Sequence, residues 1–181
     1  MTMRDDLESI LLSEEQIAAR IKELGEQLTR DYQDKDPVFV GVLKGCFVFM
    51  ADLIRSVDIK CTMDFMAVSS YGSGTTTTGA VKINKDLSQD IAGRHVIIVE
   101  DILDSGVTLS YLTKYLSGRE PASIRIVTLL DKPARRRADI KADYAGFEVP
   151  DAFVVGYGLD YDEAYRNLPF IGILKPEVYT K

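Results

Sequence analysis

The chain has 181 residues, 46% hydrophobic and 28% charged, the proportions of one soluble globular domain, and no low-complexity tract argues for disorder. Its net charge of −6 argues against nucleic acid as a partner, because affinity for a polyanion comes from clustered Lys and Arg that displace counterions. One histidine and two cysteines, Cys46 and Cys61, argue against a Cys/His zinc site and a structural disulfide; no run approaches the roughly 18 apolar residues of a membrane span, and Asp5, Asp6 and Glu8 stand where a secretory signal would be basic, so a cytoplasmic protein with no membrane partner is expected.

Ser13 and Gln16 have capping-box spacing, and Ile17, Ile21, Leu24 and Leu28 follow at helical intervals, which predicts a helix with one buried face. After Asp36 and Pro37, residues 38–43 form a continuous apolar run, the mark of a strand covered on both faces. Residues 47–54 read as a second, strongly apolar helix, expected to be mainly core although an interface is open to it. Residues 61–70 tend toward strand and run into a Gly, Ser and Thr stretch at 71–79, expected to be a mobile loop. Strands are predicted at 81–83 and 95–99, a turn at 90–94, a helix starting near 105–108 and carrying Leu109, Leu112 and Leu116, and a strand at 123–130. Short strands at 143–147, 153–156 and 170–174 complete an open α/β sheet in a single domain, residues 1–181, whose ligands should sit at the carboxyl ends of the strands.

The chemistry concentrates at residues 96–108, VIIVEDILDSGVT, a buried strand emptying into three carboxylates, a glycine turn and a helix start. Amides of a first helical turn have no intrahelical partner and carry the positive end of the dipole, so Ser105, Gly106 and Thr108 form a natural nest for phosphate. Glu100 and Asp101 can accept hydrogen bonds from a diol or bind hydrated Mg²⁺. An isolated acidic triplet would more often only cap a helix, but the apolar run before it and D-S-G-x-T after it reverse that reading. No P-loop and no dinucleotide fingerprint occurs.

This run resembles the phosphoribosyl pyrophosphate (PRPP) motif of type I phosphoribosyltransferases. Leu43, Lys44 and Gly45, the Ser69, Ser70, Tyr71 to Gly79 loop, and residues 153–166, FVVGYGLDYDEAYR, narrow the likeness to the hypoxanthine-guanine branch, over about residues 14–176. The resemblance implies an open, mostly parallel sheet flanked by helices, with a small hood formed by the chain's N- and C-terminal segments. It further implies transfer of phosphoribose from PRPP to hypoxanthine or guanine, with Mg²⁺ as cofactor, in a homodimer or homotetramer.

By the same resemblance, Asp104, Ser105, Gly106, Val107 and Thr108 hold the 5′-phosphate, and Asp104 takes a proton from the purine. Glu100 and Asp101 meet the ribose hydroxyls and the metal, with Asp160 as a further metal contact and part of the purine pocket. Lys44, Gly45 and Arg166 bind pyrophosphate, and the Leu43–Lys44 peptide can be cis. Lys132 donates to the purine 6-oxo group and leaves itself unpaired against adenine. Phe153 stacks on the base and Val154 offers backbone hydrogen bonds, while Ser70 and Tyr71 belong to a loop that closes over the site. Without the resemblance, Lys44 would read as a surface lysine and Phe153 as plain core.

Cys46 departs from the family's second glycine in its pyrophosphate loop, which loosens the carry-over at 46 but not at 44. The cluster Arg135, Arg136, Arg137 is denser than expected; Arg136 is a candidate for supporting pyrophosphate or a subunit contact, the others for solvated surface. Rival readings are an RNA-binding regulatory relative, which the net charge disfavours, a phosphoribosyltransferase for adenine, a pyrimidine or xanthine, and an α/β domain with degenerate acids.

Overall fold

The apolar run at residues 38–43 lies in the middle of a six-stranded sheet, covered on both faces as its composition requires. The computed structural model describes residues 2–70 and 81–180; Tyr71 and the rest of the Gly, Ser and Thr stretch lie outside the described residues. In chain order the elements are β1 (Leu7–Leu12), α1 (Glu14–Asp31), β2 (Val38–Leu43), α2 (Phe47–Arg55), β3 (Thr62–Ser70), β4 (Val81–Lys85) and β5 (His95–Leu103). There follow α3 (Val107–Ser117), β6 (Ser123–Asp131), β7 (Tyr144–Glu148), β8 (Val154–Val155), β9 (Ile171–Leu174) and the short α4 (Pro176–Tyr179).

The main sheet has the order β4-β3-β2-β5-β6-β7, parallel from β3 to β7 with β4 antiparallel at one edge. Side chains alternate across it. Phe39, Ile97, Val99 and Val127 pack under α1 and α2, against Ile17, Ile21, Leu24, Leu28, Phe49 and Leu53. Val38, Val40, Val96 and Ile98 point the other way, against Leu109, Leu112 and Leu116 of α3. Fully burying each such side chain is worth about 1.5–3 kcal/mol, so two apolar stripes on helices of opposite faces suffice to fix the sandwich. The Ser13 hydroxyl oxygen accepts the Gln16 amide and Gln16 Oε1 accepts the Ser13 amide, closing the expected capping box. Arg20 on α1 donates to the carbonyls of Ala145 at 2.8 Å and Gly146 at 2.9 Å, which occupies acceptors of the edge strand β7.

A second sheet, β1-β9-β8, is antiparallel and joins the two ends of the chain around Leu7, Val155, Leu168, Phe170 and Leu174. Its first strand carries no clear alternation in sequence, with Leu7 and Leu12 buried and Ile10 exposed, and periodicity alone did not predict it. The sequence also placed the end of β5 at Val99. The strand continues to Leu103, because Glu100, Ile102 and Leu103 stay paired with Thr128, Leu130 and Asp131 of β6. Glu100 and Asp101 therefore lie inside the strand, while Asp104 follows its end.

Asp64 shows how a charge is kept in this framework. Its buried carboxylate accepts the amides of Phe65 at 2.8 Å, Ser88 at 2.7 Å and Gln89 at 3.1 Å, with Lys85 Nζ at 3.6 Å. Burial alone would push its proton affinity up, but the three amides and Lys85 outweigh it and hold the group below the ordinary aspartate value of 3.8. The stabilisation is therefore complete above that ordinary value and is lost as pH falls through the lower folded value. Asp64→Asn should destabilise the protein by about 1–3 kcal/mol near neutrality. Urea unfolding should show the gap to wild type narrowing as pH falls below the ordinary aspartate value of 3.8, and a gap constant with pH would contradict this account.

Candidate active site

The carboxyl ends of β2, β5 and β6 open on one end of the main sheet, where the chain leaves each strand into a loop rich in polar groups. β2 leads to Lys44 and Gly45 through a Leu43–Lys44 peptide that is cis. β5 leads to Asp104, Ser105 and Gly106, and β6 to Lys132 and the Arg135–Arg137 cluster. The segment after β8 brings Asp160 and Arg166 to the same end.

Glu100, buried, and Asp101, half-buried, are neighbours on β5, and both carboxyls are pushed up, foremost by burial. In Glu100 the adjacent Asp101 charge adds to the rise; in Asp101 the Ile102 amide, donating at 2.8 Å, partly offsets it. Two like charges at a low-dielectric strand end favour a cation or hydroxyl donors in front of them. Gly45 makes the packing possible, since a Cβ there would lie 1.8 Å from Asp101 Oδ2. The position at 45 thus has no room for a side chain while Asp101 stays where it is.

Gly106 caps α3 at φ +78°, a conformation open to glycine, and a Cβ on it would meet Ile140 at 2.5 Å. This turn directs the first amides of α3 into a cleft of about 270 Å³ lined by Gly45, Glu100, Asp101, Asp104, Ser105 and Thr108. Val107 begins the helix, its amide 3.4 Å from Ser105 Oγ. Asp104 Oδ1 is buried and, among the described residues, has no hydrogen-bond partner, while Oδ2 faces Arg135 at 3.9 Å.

A second cleft of about 230 Å³ shares Asp101 and Asp104 with the first and is otherwise lined by residues such as Lys132, Phe153, Val154 and Asp160. Lys132 is buried and its Nζ donates to the Ala152 carbonyl at 2.8 Å. Phe153 lies edge-on to Tyr161, with centroids 5.5 Å apart, and is stacked on Tyr179 of α4 at 4.8 Å. One cleft thus offers helix-start amides and acids, the other a cation, an aromatic ring and strand backbone, and Asp104 stands between them.

Lys44 is exposed and pairs with Glu163 at 2.8 Å. Arg166 pairs with Asp160 at 3.0 Å and donates to the Gly158 carbonyl at 2.7 Å, and its Nε is buried without a partner among the described residues. Gly158, at φ +100°, approaches Gly45 so closely that a Cβ would lie 2.3 Å from the Gly45 carbonyl oxygen. Residues 44–45 and 158–166 therefore form one rim, although 113 positions separate Gly45 from Gly158 (158 − 45).

Most residues singled out in the sequence converge here. The exceptions are Tyr71, outside the described residues, and Ser70, which ends β3. Among the described residues no three His, Cys, Asp or Glu side chains gather as a ready metal cage, so Glu100, Asp101 and Asp160 do not form one preassembled set. Arg136 does not turn to the rim; its guanidinium faces the backbone of the Asp104 turn and the Asp131 carboxylate. Sequence reading missed the lining residues Ile102 and Leu159, whose apolar character looks like core, and Tyr179, a C-terminal aromatic whose stacking on Phe153 depends on a contact 26 positions away (179 − 153). Gly158 had a signal, a second glycine two residues after Gly156 between apolar neighbours.

The phosphoribosyl transferase domain model matches residues 8–162. The hypoxanthine-guanine phosphoribosyltransferase of Bacillus subtilis is 61% identical over 177 residues, 98% of each chain, and that of Staphylococcus aureus strain Mu50 is 57% identical over 98% of this chain and 99% of its own. A crystal structure of a hypoxanthine phosphoribosyltransferase from Staphylococcus aureus superposes with a TM-score of 0.96, at 57% identity, over 99% of this chain and 97% of the other. With its α/β architecture and paired clefts, the chain belongs to the phosphoribosyltransferase family, among the hypoxanthine-guanine phosphoribosyltransferases.

Proposed function

We propose that the protein serves purine salvage, transferring the 5-phosphoribosyl group of PRPP to N9 of hypoxanthine or guanine and releasing pyrophosphate. The observation that carries this reading is the position of Asp104, whose unpartnered buried Oδ1 stands where an anion-binding helix start meets a pocket with a buried lysine.

The monoester of PRPP is held by the amides and hydroxyls of Ser105, Gly106, Val107 and Thr108, with the α3 dipole favouring its charge. Glu100 and Asp101 accept from the ribose hydroxyls. Lys132 donates to the 6-oxo group; adenine, with an amino group there, would set a donor against the buried ammonium, which would keep only its bond to the Ala152 carbonyl, a penalty against adenine. Phe153 stacks on the base with Tyr179 behind it, and Val154 reads the base edge through its backbone. Asp104 accepts the N9 proton as the C1′–N9 bond forms and the bond from C1′ to the pyrophosphate oxygen breaks. Lys44, Gly45 and Arg166 receive the leaving group, the free Nε of Arg166 suiting a phosphate oxygen.

The donor set suits Mg²⁺, which takes one or two carboxylates and completes its shell with water and substrate phosphates. Glu100 and Asp101 would hold it, with Asp160 nearby; when bound, it neutralises the oxygens of the departing pyrophosphate. The β1-β9-β8 sheet acts as a hood over the base cleft. No described helix is long and apolar enough to cross a membrane. A cytoplasmic homodimer or homotetramer is the form we infer, α2 having Phe49, Met50 and Leu53 in the core and Phe47 exposed for a subunit contact.

Steady-state assays with hypoxanthine, guanine, xanthine and adenine, with and without Mg²⁺, should give Mg²⁺-dependent turnover of the first two and none of adenine; comparable turnover of adenine would refute the role of Lys132. Asp104→Asn should lower kcat by about 10² to 10⁴ while circular dichroism stays unchanged, and activity within about twofold of wild type would remove Asp104 from its role. Gly45→Ala should raise KM for PRPP, since its Cβ would displace an Asp101 oxygen now 1.8 Å from that position, and should leave KM for the base nearly unchanged.

A further inference from the structure

A turn that offers amides to an anion must keep its carbonyl oxygens away from it, because those dipoles repel negative charge. Here all three carbonyls that precede Gly106 are taken up by one neighbouring segment, residues 132–138. The Leu103 carbonyl accepts the Lys132 amide at 3.0 Å and an Arg136 terminal nitrogen at 3.3 Å. The Asp104 carbonyl accepts Arg136 Nε at 3.0 Å, and the Ser105 carbonyl accepts the amides of Arg137 at 2.9 Å and Ala138 at 3.1 Å.

Arg136 is the centre of this arrangement. Its other terminal nitrogen donates to the Ile140 carbonyl at 2.8 Å, and the nitrogen that reaches Leu103 also pairs with the Asp131 carboxylate at the end of β6. Its side chain is only 17% exposed, and its Cδ lies 3.1 Å from where a Cβ on Gly106 would stand. Each of its three nitrogens already donates to the protein, which argues against Arg136 as a ligand of phosphate or pyrophosphate. The Arg135 side chain is 55% exposed, within reach of Asp104 at 3.9 Å and Asp151 at 3.7 Å, and plays no such part.

We propose that Arg136 is a positioning residue for PRPP, a backbone clamp whose planar fork, anchored by Asp131, holds the carbonyls of Leu103 and Asp104 behind the turn so that the amides of 105–108 face the monoester. The proposal rests on the reading of that turn as the PRPP phosphate site. A lysine keeps the charge but places one compact ammonium where several separated acceptors need a fork, so it cannot replace the clamp.

The test compares Arg136→Gln, Arg136→Lys and Asp131→Asn with wild type, measuring KM for PRPP, KM for hypoxanthine, and direct calorimetric binding of ribose 5-phosphate, which carries the monoester without base or pyrophosphate. Arg136→Gln should raise KM for PRPP and weaken ribose 5-phosphate binding by about 10- to 100-fold, with KM for hypoxanthine within about twofold. Arg136→Lys should recover little of the loss, and Asp131→Asn should show a smaller change of the same kind. If Arg136→Gln does not fold, the other two variants decide. Restoration of PRPP affinity by Arg136→Lys would mean that charge alone suffices, and equal rises in both KM values would mean general loosening; either overturns the clamp. A wild type that binds ribose 5-phosphate but does not turn over PRPP would instead defeat the proposed reaction and leave the clamp to be judged by binding.

Discussion

Everything in the site depends on one constraint, the need to satisfy the polar backbone of the turn between β5 and α3 from behind. The carbonyls of Leu103, Asp104 and Ser105 are bonded to residues 132–138, so the amides that follow face the open cleft. An unpaired buried backbone group costs as much as a lost hydrogen bond, so this pairing fixes which way the peptide planes point. The placement of Asp104 between the two clefts follows from it, because the same turn carries that side chain.

Close backbone approach assembles the remainder. Gly45 admits an Asp101 oxygen where a Cβ would lie, Gly158 sits against the Gly45 carbonyl, and Gly106 lets Ile140 and Arg136 close over the turn. Three loops remote in sequence thereby share one rim. Around them the charges are arranged asymmetrically. Glu100 is buried and Asp101 half-buried beside it, both with proton affinity pushed up, which favours a cation or hydroxyls in front of them. Asp160 and Glu163 are already engaged by Arg166 and Lys44, so the rim keeps its cations near neutral balance until an anionic ligand competes.

The centre of the main sheet was legible in the sequence because β2, β5 and β6 are buried on both faces over most of their length and read as apolar runs, and its helices carry stripes at helical spacing. Helix α1 was legible from Ser13 and Gln16, whose capping box is a purely local interaction. Strand β1 was not, because its pairing with β9 joins chain ends more than 150 residues apart and leaves half of its side chains in solvent. The end of β5 was misplaced for a related reason: polar residues such as Glu100 look like the end of a strand, and only the partner β6 keeps the ladder going.

The D-S-G-x-T run at 104–108, following buried strand and acids, was enough by itself to point to a helix start suited to an anion, since glycine, hydroxyls and free amides are local properties. Family resemblance extended that to Lys132, Phe153 and Arg166, and the fold brings those residues to the clefts and rim beside the turn. Only the tertiary structure decided that Arg136 faces backbone carbonyls, that Tyr179 backs Phe153, and that Gly45 and Gly158 touch. Each of these depends on where distant segments meet once two sheets have packed, and a side chain's composition carries no record of which neighbour will claim it.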